Sequence, residues 1–334
     1  YFDVYPNRIP ALMASNPGLF TKNEGVSTEG SFLSDYDASE TTSAAYVMGT
    51  YRFGAHTVIA GLRYEDNEWK SQRVRVPYIN GVATPTKQDL GNSYDFWLPG
   101  LHLRHELRKN LIMRESFNQS YAKPKLGQLT LGRLVATNGN VTDGNPMLKP
   151  VTSDNMDWQI EYYTANSGLY SVGVFYKKVK DFSFRQDSRF LVTDGQGEPI
   201  IIPGATSGLR YRRVVNGGTA KQLGVELIAR QRLTFLPGFL KGFTASASGT
   251  LTESKATYPG REDRTDLTLA GFSPYLFTTS LEYARGRLRV RADYRYRDDY
   301  VEGLGTDRAS DEYYAAEERV DAEMSFEIRK GLSV

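Results

Sequence analysis

The chain has no cysteine, which excludes disulfides, thiolate metal sites and a cysteine nucleophile. Imidazole is almost as scarce, with only His56, His102 and His105 among 334 residues. His102 and His105 fall near the end of a strand-like run and read as solvated or hydrogen-bonded groups, not as metal ligands. Charge of one sign is not in excess either. Against 41 Lys and Arg stand 39 Asp and Glu, a formal net charge of +2, so the basic field that phosphate backbones select is missing and no nucleic-acid partner is expected. No run of eighteen consecutive apolar residues occurs, and the mean hydropathy of −0.47 is that of a polar protein, which excludes a helical membrane span. A membrane barrel is not excluded, because its apolar residues alternate with polar ones and average out in any sliding window. The chain opens at Tyr1 with neither an initiator Met nor a charged-then-apolar signal segment, and reads as a fragment or a processed product.

Catalytic constellations are absent as well. There is no Gly-x-Ser-x-Gly elbow, no nucleotide-binding glycine loop and no His-Glu-x-x-His helix, so no enzyme, no cofactor and no catalytic residue is expected. The acid pairs Glu262 with Asp263 and Asp298 with Asp299 read as solvated loop bases. The stretch Thr137 to Gly144 resembles a calcium loop only faintly and lacks its terminal bidentate acid, so it reads as turns and no metal site is assigned.

What the sequence does have is a period of two. From Arg287 to Arg297, Leu288, Val290, Ala292, Tyr294 and Tyr296 alternate with Arg287, Arg289, Arg291, Asp293, Arg295 and Arg297. In a strand these two sets point to opposite faces, one apolar and one charged. Val320, Ala322, Met324, Phe326 and Ile328 repeat the pattern, as do Met156, Trp158, Ile160 and Tyr162. A weaker case is Val58, Ala60, Leu62 and Tyr64, because Ile59 falls among the polar set. About eleven strands are expected, at roughly 41–53, 56–70, 94–107, 110–121, 153–164, 169–186, 214–232, 241–256, 274–285, 287–300 and 317–329. Most are longer than ten residues, whereas soluble sheets favour about five or six and a tilted membrane strand needs about nine to eleven.

The connections alternate strictly between short and long. Gly54–Ala55, Arg108–Lys109, Ala165–Gly168, Leu236–Leu240 and Arg285–Gly286 are tight joins, and between them lie long segments at 71–93, 122–152, 187–213, 257–273 and 301–316. Antiparallel strands then put every short turn at one end of the sheet and every long loop at the other. Outer-membrane barrels have this asymmetry, with short periplasmic turns and long extracellular loops, and a sandwich has no reason to keep it. Segment 1–40 reads as a further extracellular loop, and 1–334 as one domain. Tyr51, Phe53, Tyr64, Trp69, Tyr162, Tyr163, Phe175, Tyr176, Tyr294 and Tyr296 cluster near strand ends, and with 22 tyrosines in the chain they read as an interfacial aromatic girdle.

Several segments resemble the barrel of TonB-dependent receptors, particularly the Caulobacter and Xanthomonas branch. Arg114 to Pro124 looks like that family's Arg-x-Ser-x-Ser-x-x-x-Arg-Pro strand end, with Lys123 in place of the second Arg. Gly144-Asn145-Pro146-Met147-Leu148-Lys149-Pro150 is similar to its Gly-Asn-Pro-x-Leu-Lys-Pro signature, followed by Ser153-Asp154-Asn155 and Glu161-Tyr162-Tyr163. Phe175 to Phe182 and Leu236 to Gly242 match a later strand and a periplasmic turn, so the resemblance covers roughly residues 95–330. Physically, Asn145-Pro146 and Lys149-Pro150 hold the chain extended where a long loop re-enters the sheet, and the motifs are assigned to barrel construction. The resemblance implies an all-β, antiparallel transmembrane barrel of twenty-two strands around an N-terminal plug, of which about eleven strands are here. Plug, TonB-contacting box, early strands and last two strands fall outside this sequence. An open half-barrel is not expected to fold alone.

It also implies a function: energised import of a scarce, bulky nutrient, a ferric siderophore or an oligosaccharide, across the bacterial outer membrane. The expected partners are the TonB complex, through the missing N-terminal part, outer-membrane lipid and lipopolysaccharide, and the small-molecule or oligosaccharide substrate. Candidate ligand residues are Arg133, Asn138 and Asn140 in one loop and Arg189, Arg210, Tyr211, Arg212 and Arg213 in another. Arginine suits anionic chelates, and Tyr with Asn suits sugars. Arg287, Arg289, Arg291, Asp293 and Arg295 are expected to face a wet lumen, since an arginine at the bilayer midplane costs roughly 2–4 kcal/mol. A passive porin-like barrel and, further off, a soluble β-rich binding protein are the competing readings.

Overall fold

A computed structural model describes residues 9–20, 24–32, 35–76, 78–79, 82–132, 134–135, 141–188, 211–261, 263–305, 307–329 and 332–333. Eleven long strands make one antiparallel meander: β1 (Tyr36–Phe53), β2 (His56–Arg75), β3 (Thr86–Arg108), β4 (Leu111–Ala122), β5 (Val151–Tyr163), β6 (Leu169–Lys180), β7 (Thr219–Arg232), β8 (Phe243–Ala256), β9 (Tyr275–Arg285), β10 (Leu288–Arg297) and β11 (Glu317–Arg329). Each pairs with the next, a two-residue strand (Leu332–Ser333) follows β11, and among the described residues the sheet does not close on itself. Glycines in the left-handed region make the tightest joins, Gly54 at φ +55° and Gly286 at +59°, where a side chain would strain the backbone.

Cross-strand partners share a face, so the register carries one face across the sheet. One row runs Ile59, His102, Ser116, Asp157, Phe175, Gly224 and Thr252. Two residues along β8, Thr250 pairs with Leu276 and Leu276 with Arg297, which puts Arg289, Arg291, Asp293 and Arg295 on that same face. Trp69 is on it too, buried with Leu129 and Leu148 of the connection between β4 and β5. We call it the covered face. The opposite, bare face carries Leu62, Tyr64, Trp97, Leu101, Met156, Trp158, Val172, Val174, Leu227, Leu251, Phe277, Leu281, Val290, Met324 and Phe326, all more than a third exposed apart from Tyr64.

Parity corrects the aromatic girdle. Tyr51, Phe53, Tyr64, Tyr162, Tyr176, Tyr294 and Tyr296 lie on the bare face, whereas Trp69, Tyr163 and Phe175 have the opposite parity and lie on the covered one. Arg287 sits in the turn before β10, where its carbonyl accepts from the Glu327 amide (2.9 Å) and its side chain donates to the Ile328 carbonyl (3.0 Å).

Several boundaries move as well. Segment 1–40 contains α1 (Ile9–Ser15), α2 (Glu24–Phe32) and the start of β1. β2 and β3 extend into the expected loop 71–93 and reach 20 and 23 residues. At about 3.3 Å per residue, 20 residues span about 66 Å, more than a bilayer core of about 30 Å needs even when tilted. The expected strands 169–186 and 214–232 each break in two. Asp181 turns to φ +54°, and the pair resumes as Ser183–Ser188 against Tyr211–Asn216, now in a separate four-stranded sheet with Leu134–Val135 and Val141–Thr142. Phe182 fills the kink: a Cβ on Gly217 would lie 2.3 Å from its ring.

Candidate functional site

Two buried clusters fix the long connections over the covered face at the long-loop end of the sheet. In the first, α3 (Leu126–Thr130) and the segment 144–150 pack Leu129 and Leu148 onto Trp69. The backbones touch here, since a Cβ on Gly144 would lie 2.6 Å from the Leu131 carbonyl oxygen. Asn145 donates to the Val214 carbonyl (2.9 Å) and accepts from the Met147 amide (3.1 Å). Asn216 accepts from the Lys149 amide (2.8 Å) and donates to the Lys149 and Asp181 carbonyls (2.9 and 2.7 Å). The Gly-Asn-Pro-x-Leu-Lys-Pro segment thus locks two connections together, which is a construction role. Beneath it, buried Arg73 donates to the Leu131 carbonyl (2.7 Å) and to Gln88 (3.0 Å) and lies 3.9 Å from Asp143.

The second cluster joins Phe182, Phe184, Tyr258, Leu267, Leu269, Val301 and Leu304, with the Tyr258 ring edge-on to both phenylalanines. Burial pushes the Tyr258 phenol up to about 12, and its hydroxyl donates to the Thr268 carbonyl (2.8 Å). Above it, Asp311, with its side chain fully buried, accepts from Arg261 (2.5 Å), Arg264 (3.1 Å) and the Gly305 amide (3.0 Å). Arg264 also forks onto Asp266 with two 2.8 Å bonds, which hold that carboxyl down at about 2. Arg261 bonds Asp263 (2.9 Å) and lowers its carboxyl likewise, and both guanidiniums are raised in return.

Between the clusters and the short turns, the covered face is a polar wall. A cleft of about 380 Å³ is lined by His102, Arg104, Arg114, Ser116, Asp157 and Glu226 among others. Its groups are largely paired: Arg114 with Glu161 (3.2 Å), Ser116 with Asp157 (2.9 Å), Gln159 with Ser171 (2.8 Å). Nearer the loops, β4 leaves β3 after the Gly100–Asn118 pair, and Tyr121 stacks on Phe96 at 4.1 Å with its hydroxyl bonded to Glu65. Lys123 of the family-like motif forms an ion pair with Glu40. On β10, Arg291 bonds Asp293 (2.8 Å) on the covered face. Such a wall presents many hydrogen-bonding and charged groups on one face of the sheet.

Of the ligand candidates read from sequence, Arg133, Asn138, Asn140, Arg189 and Arg210 lie outside the described residues. Tyr211, Arg212 and Arg213 are brought to the inner hairpin strand Tyr211–Asn216. Tyr211 is not offered to a ligand there: it is 3% exposed and its hydroxyl lies 3.5 Å from Asp143. Arg212 and Arg213 are half-buried, Arg213 over the Tyr211 ring at 5.9 Å. Sequence reasoning missed Arg73, Asp143, Glu65, Tyr121 and Asp311. The parity of Arg73 with Trp69 was the one readable signal, since both alternate against Glu68, Lys70 and Gln72.

The sequence matches a family described as TonB dependent receptor-like, beta-barrel, over residues 4–334. The chain belongs to this family. No curated protein matches it in sequence. Solved TonB-dependent receptors share the fold at low identity. The siderophore receptor PiuA from Acinetobacter baumannii is 15% identical with a TM-score of 0.62, covering 90% of this chain and 38% of its own. The copper transporter OprC is 14% identical with a TM-score of 0.62, covering 89% and 41%. The ferric yersiniabactin uptake receptor FyuA from Yersinia pestis is 18% identical with a TM-score of 0.59, covering 89% and 40%. The chain therefore spans about two-fifths of the length of these receptors, as a partial, all-β TonB-dependent receptor barrel.

Proposed function

We propose that the chain is part of the wall of an energised outer-membrane importer for a scarce, bulky nutrient. The observation that carries this is the separation of faces: one face is bare and carries exposed apolar side chains on most of the eleven strands, and the other is largely polar and carries the long connections. Lipid tolerates only the first, and a wet lumen suits the second. On this reading Arg289, Arg291, Asp293 and Arg295 line the lumen, the short turns are periplasmic, and the connections at 122–152, 187–213, 257–273 and 301–316 lie on the outer side, where ligand enters. The TonB complex supplies the energy through a part of the receptor outside this sequence, and lipid with lipopolysaccharide surrounds the bare face. Between an iron chelate and an oligosaccharide, the neighbours named for siderophores and copper favour a metal chelate, with Arg212 and Arg213 as the described residues suited to an anionic one.

Growth of a deletion strain on a panel of ferric chelates and oligosaccharides tests the reading. Loss of growth on one nutrient, reproduced by removing TonB, is the expected outcome. Uptake that persists without TonB would instead indicate a passive barrel.

A further inference from the structure

Two of the three histidines of the chain meet across β2 and β3, at the short-turn end of the sheet. His56 and His105 are register partners on the bare face, their Nδ1 atoms 2.6 Å apart and their rings at 70°. The Glu106 amide donates to the Ala55 carbonyl (2.8 Å), so the ladder bonds fall on the flanking pair. His56 and His105 thus form a pair without ladder bonds, the kind in which opposed side chains lie closest. Two ring nitrogens aimed at one point need something between them, a shared proton or a cation. Among the described residues neither imidazole has another hydrogen-bond partner. Arg52 and Arg104, the cations beside the pair, have the opposite parity, and Arg104 is held by Glu106 at 2.5 Å on the covered face. Both rings are half-buried, Phe53 packs at 5.1 Å from His56, and the exposed Gly54–Ala55 turn leaves the remaining side open to water.

We propose that His56 and His105 form a two-imidazole site for a borderline divalent transition metal, Cu²⁺ above Ni²⁺ or Zn²⁺, completed by water. Two cis nitrogens at about 2.0 Å from a tetragonal ion stand about 2.8 Å apart, about 0.2 Å more than the present separation, and the rings would also tilt so that both lone pairs converge on the ion. The cation takes the place of the proton between the rings, both Nδ1 atoms acting as neutral lone-pair donors, and that proton moves to the Nε2 of its own ring in a neutral pair or to solvent from a protonated one. The order among metals follows the intrinsic affinity of nitrogen ligands, which peaks at copper. This site is on the outer surface of the wall, apart from the polar cleft, and does not depend on what the receptor imports.

The test is titration of the detergent-purified, full-length receptor with CuCl₂, followed by electron paramagnetic resonance. Hyperfine structure from two nitrogens is expected. His56→Ala and His105→Ala should each weaken the site by about 100-fold, because chelation becomes single-ligand contact. His105→Gln, which keeps the bulk of the side chain, should do the same if either alanine variant fails to show the heat-modifiable mobility of a folded barrel. A signal from a single nitrogen, or equal Cu²⁺ affinity in the wild type and the glutamine variant, would mean that the pair shares a proton only and would overturn the proposal.

Discussion

Arg291 and Asp293 pair at 2.8 Å on the covered face of β10 with side chains 46% and 12% exposed, whereas Arg261 and Asp311 pair at 2.5 Å with side chains 4% and 0% exposed. The chemistry is the same and the setting is not. On β10 the two residues are neighbours of one strand face, and water stands ready to replace either partner, so the pair adds little. In the loop cluster, Asp311 is the one carboxylate that Arg261, Arg264 and the Gly305 amide converge upon, and removing it takes the acceptor from three donors at once, leaving the buried Arg261 guanidinium only Asp263 and the Gly305 carbonyl. The wall is therefore tolerant of substitution and the loop cluster is not. This division suits a surface whose strands are held by the backbone ladder and whose connections are held by side chains.

The largest effect that sharpens this contrast is Asp311→Ala, expected to destabilise the 257–273 and 301–316 connections by about 3–5 kcal/mol. Hydrogen exchange of those segments in the full-length receptor measures it, and unchanged protection there would break the comparison. Next comes Val290→Arg, which puts a charge on the bare face and should cost about 2–4 kcal/mol if that residue sits near the bilayer midplane. Its neighbour substitution Arg291→Val should leave folded yield unchanged. Spin labels complete the pair of measurements: oxygen access at Val290 and Tyr294, and water access at Arg291 and Arg295, are expected, and a mixed pattern would defeat the face assignment. Gly144→Ala crowds the Leu131 carbonyl and should cost about 1–3 kcal/mol, read as faster proteolysis of the α3 segment. Asp293→Asn, finally, should change nothing measurable in the melting temperature of the barrel.

Acid and base probe the loop cluster from both sides. The Asp263 and Asp266 carboxyls are lowered by their arginines, Asp266 to about 2. Their contribution is complete above the ordinary carboxylate value of about 4 and is lost as pH falls toward 2. Burial raises Tyr258 to about 12, so its contribution is complete below about 10 and is lost as pH rises toward 12. Loop protection that is flat between those limits and falls outside them is the expected profile. A decline centred near pH 7 would contradict it.

The alternation at 287–297 and 320–328 was readable because a strand's side-chain period is local: each residue's face follows from its neighbour's. The tight joins were readable for the same reason, since Gly54 and Gly286 carry the backbone angles that their turns need. Trp69 was misread as an outward aromatic because its size spoke for an interface while its parity, shared with Arg73, spoke for the interior. The break at Asp181 was hidden, because Phe175 to Phe184 has strand composition throughout and only the packing of Phe182 against Gly217 divides it.

By itself, then, the sequence determined the strands, their two faces and the alternation of short and long connections, all of which rest on spacings of a few residues. The tertiary structure alone decided which groups meet. Trp69 lies under Leu148, Asn145 reaches Val214, Asp311 accepts from Arg261, and His56 faces His105 across separations of about fifty to eighty residues. Those contacts depend on how each loop folds back over the sheet and on the register between strands, and no local period encodes either.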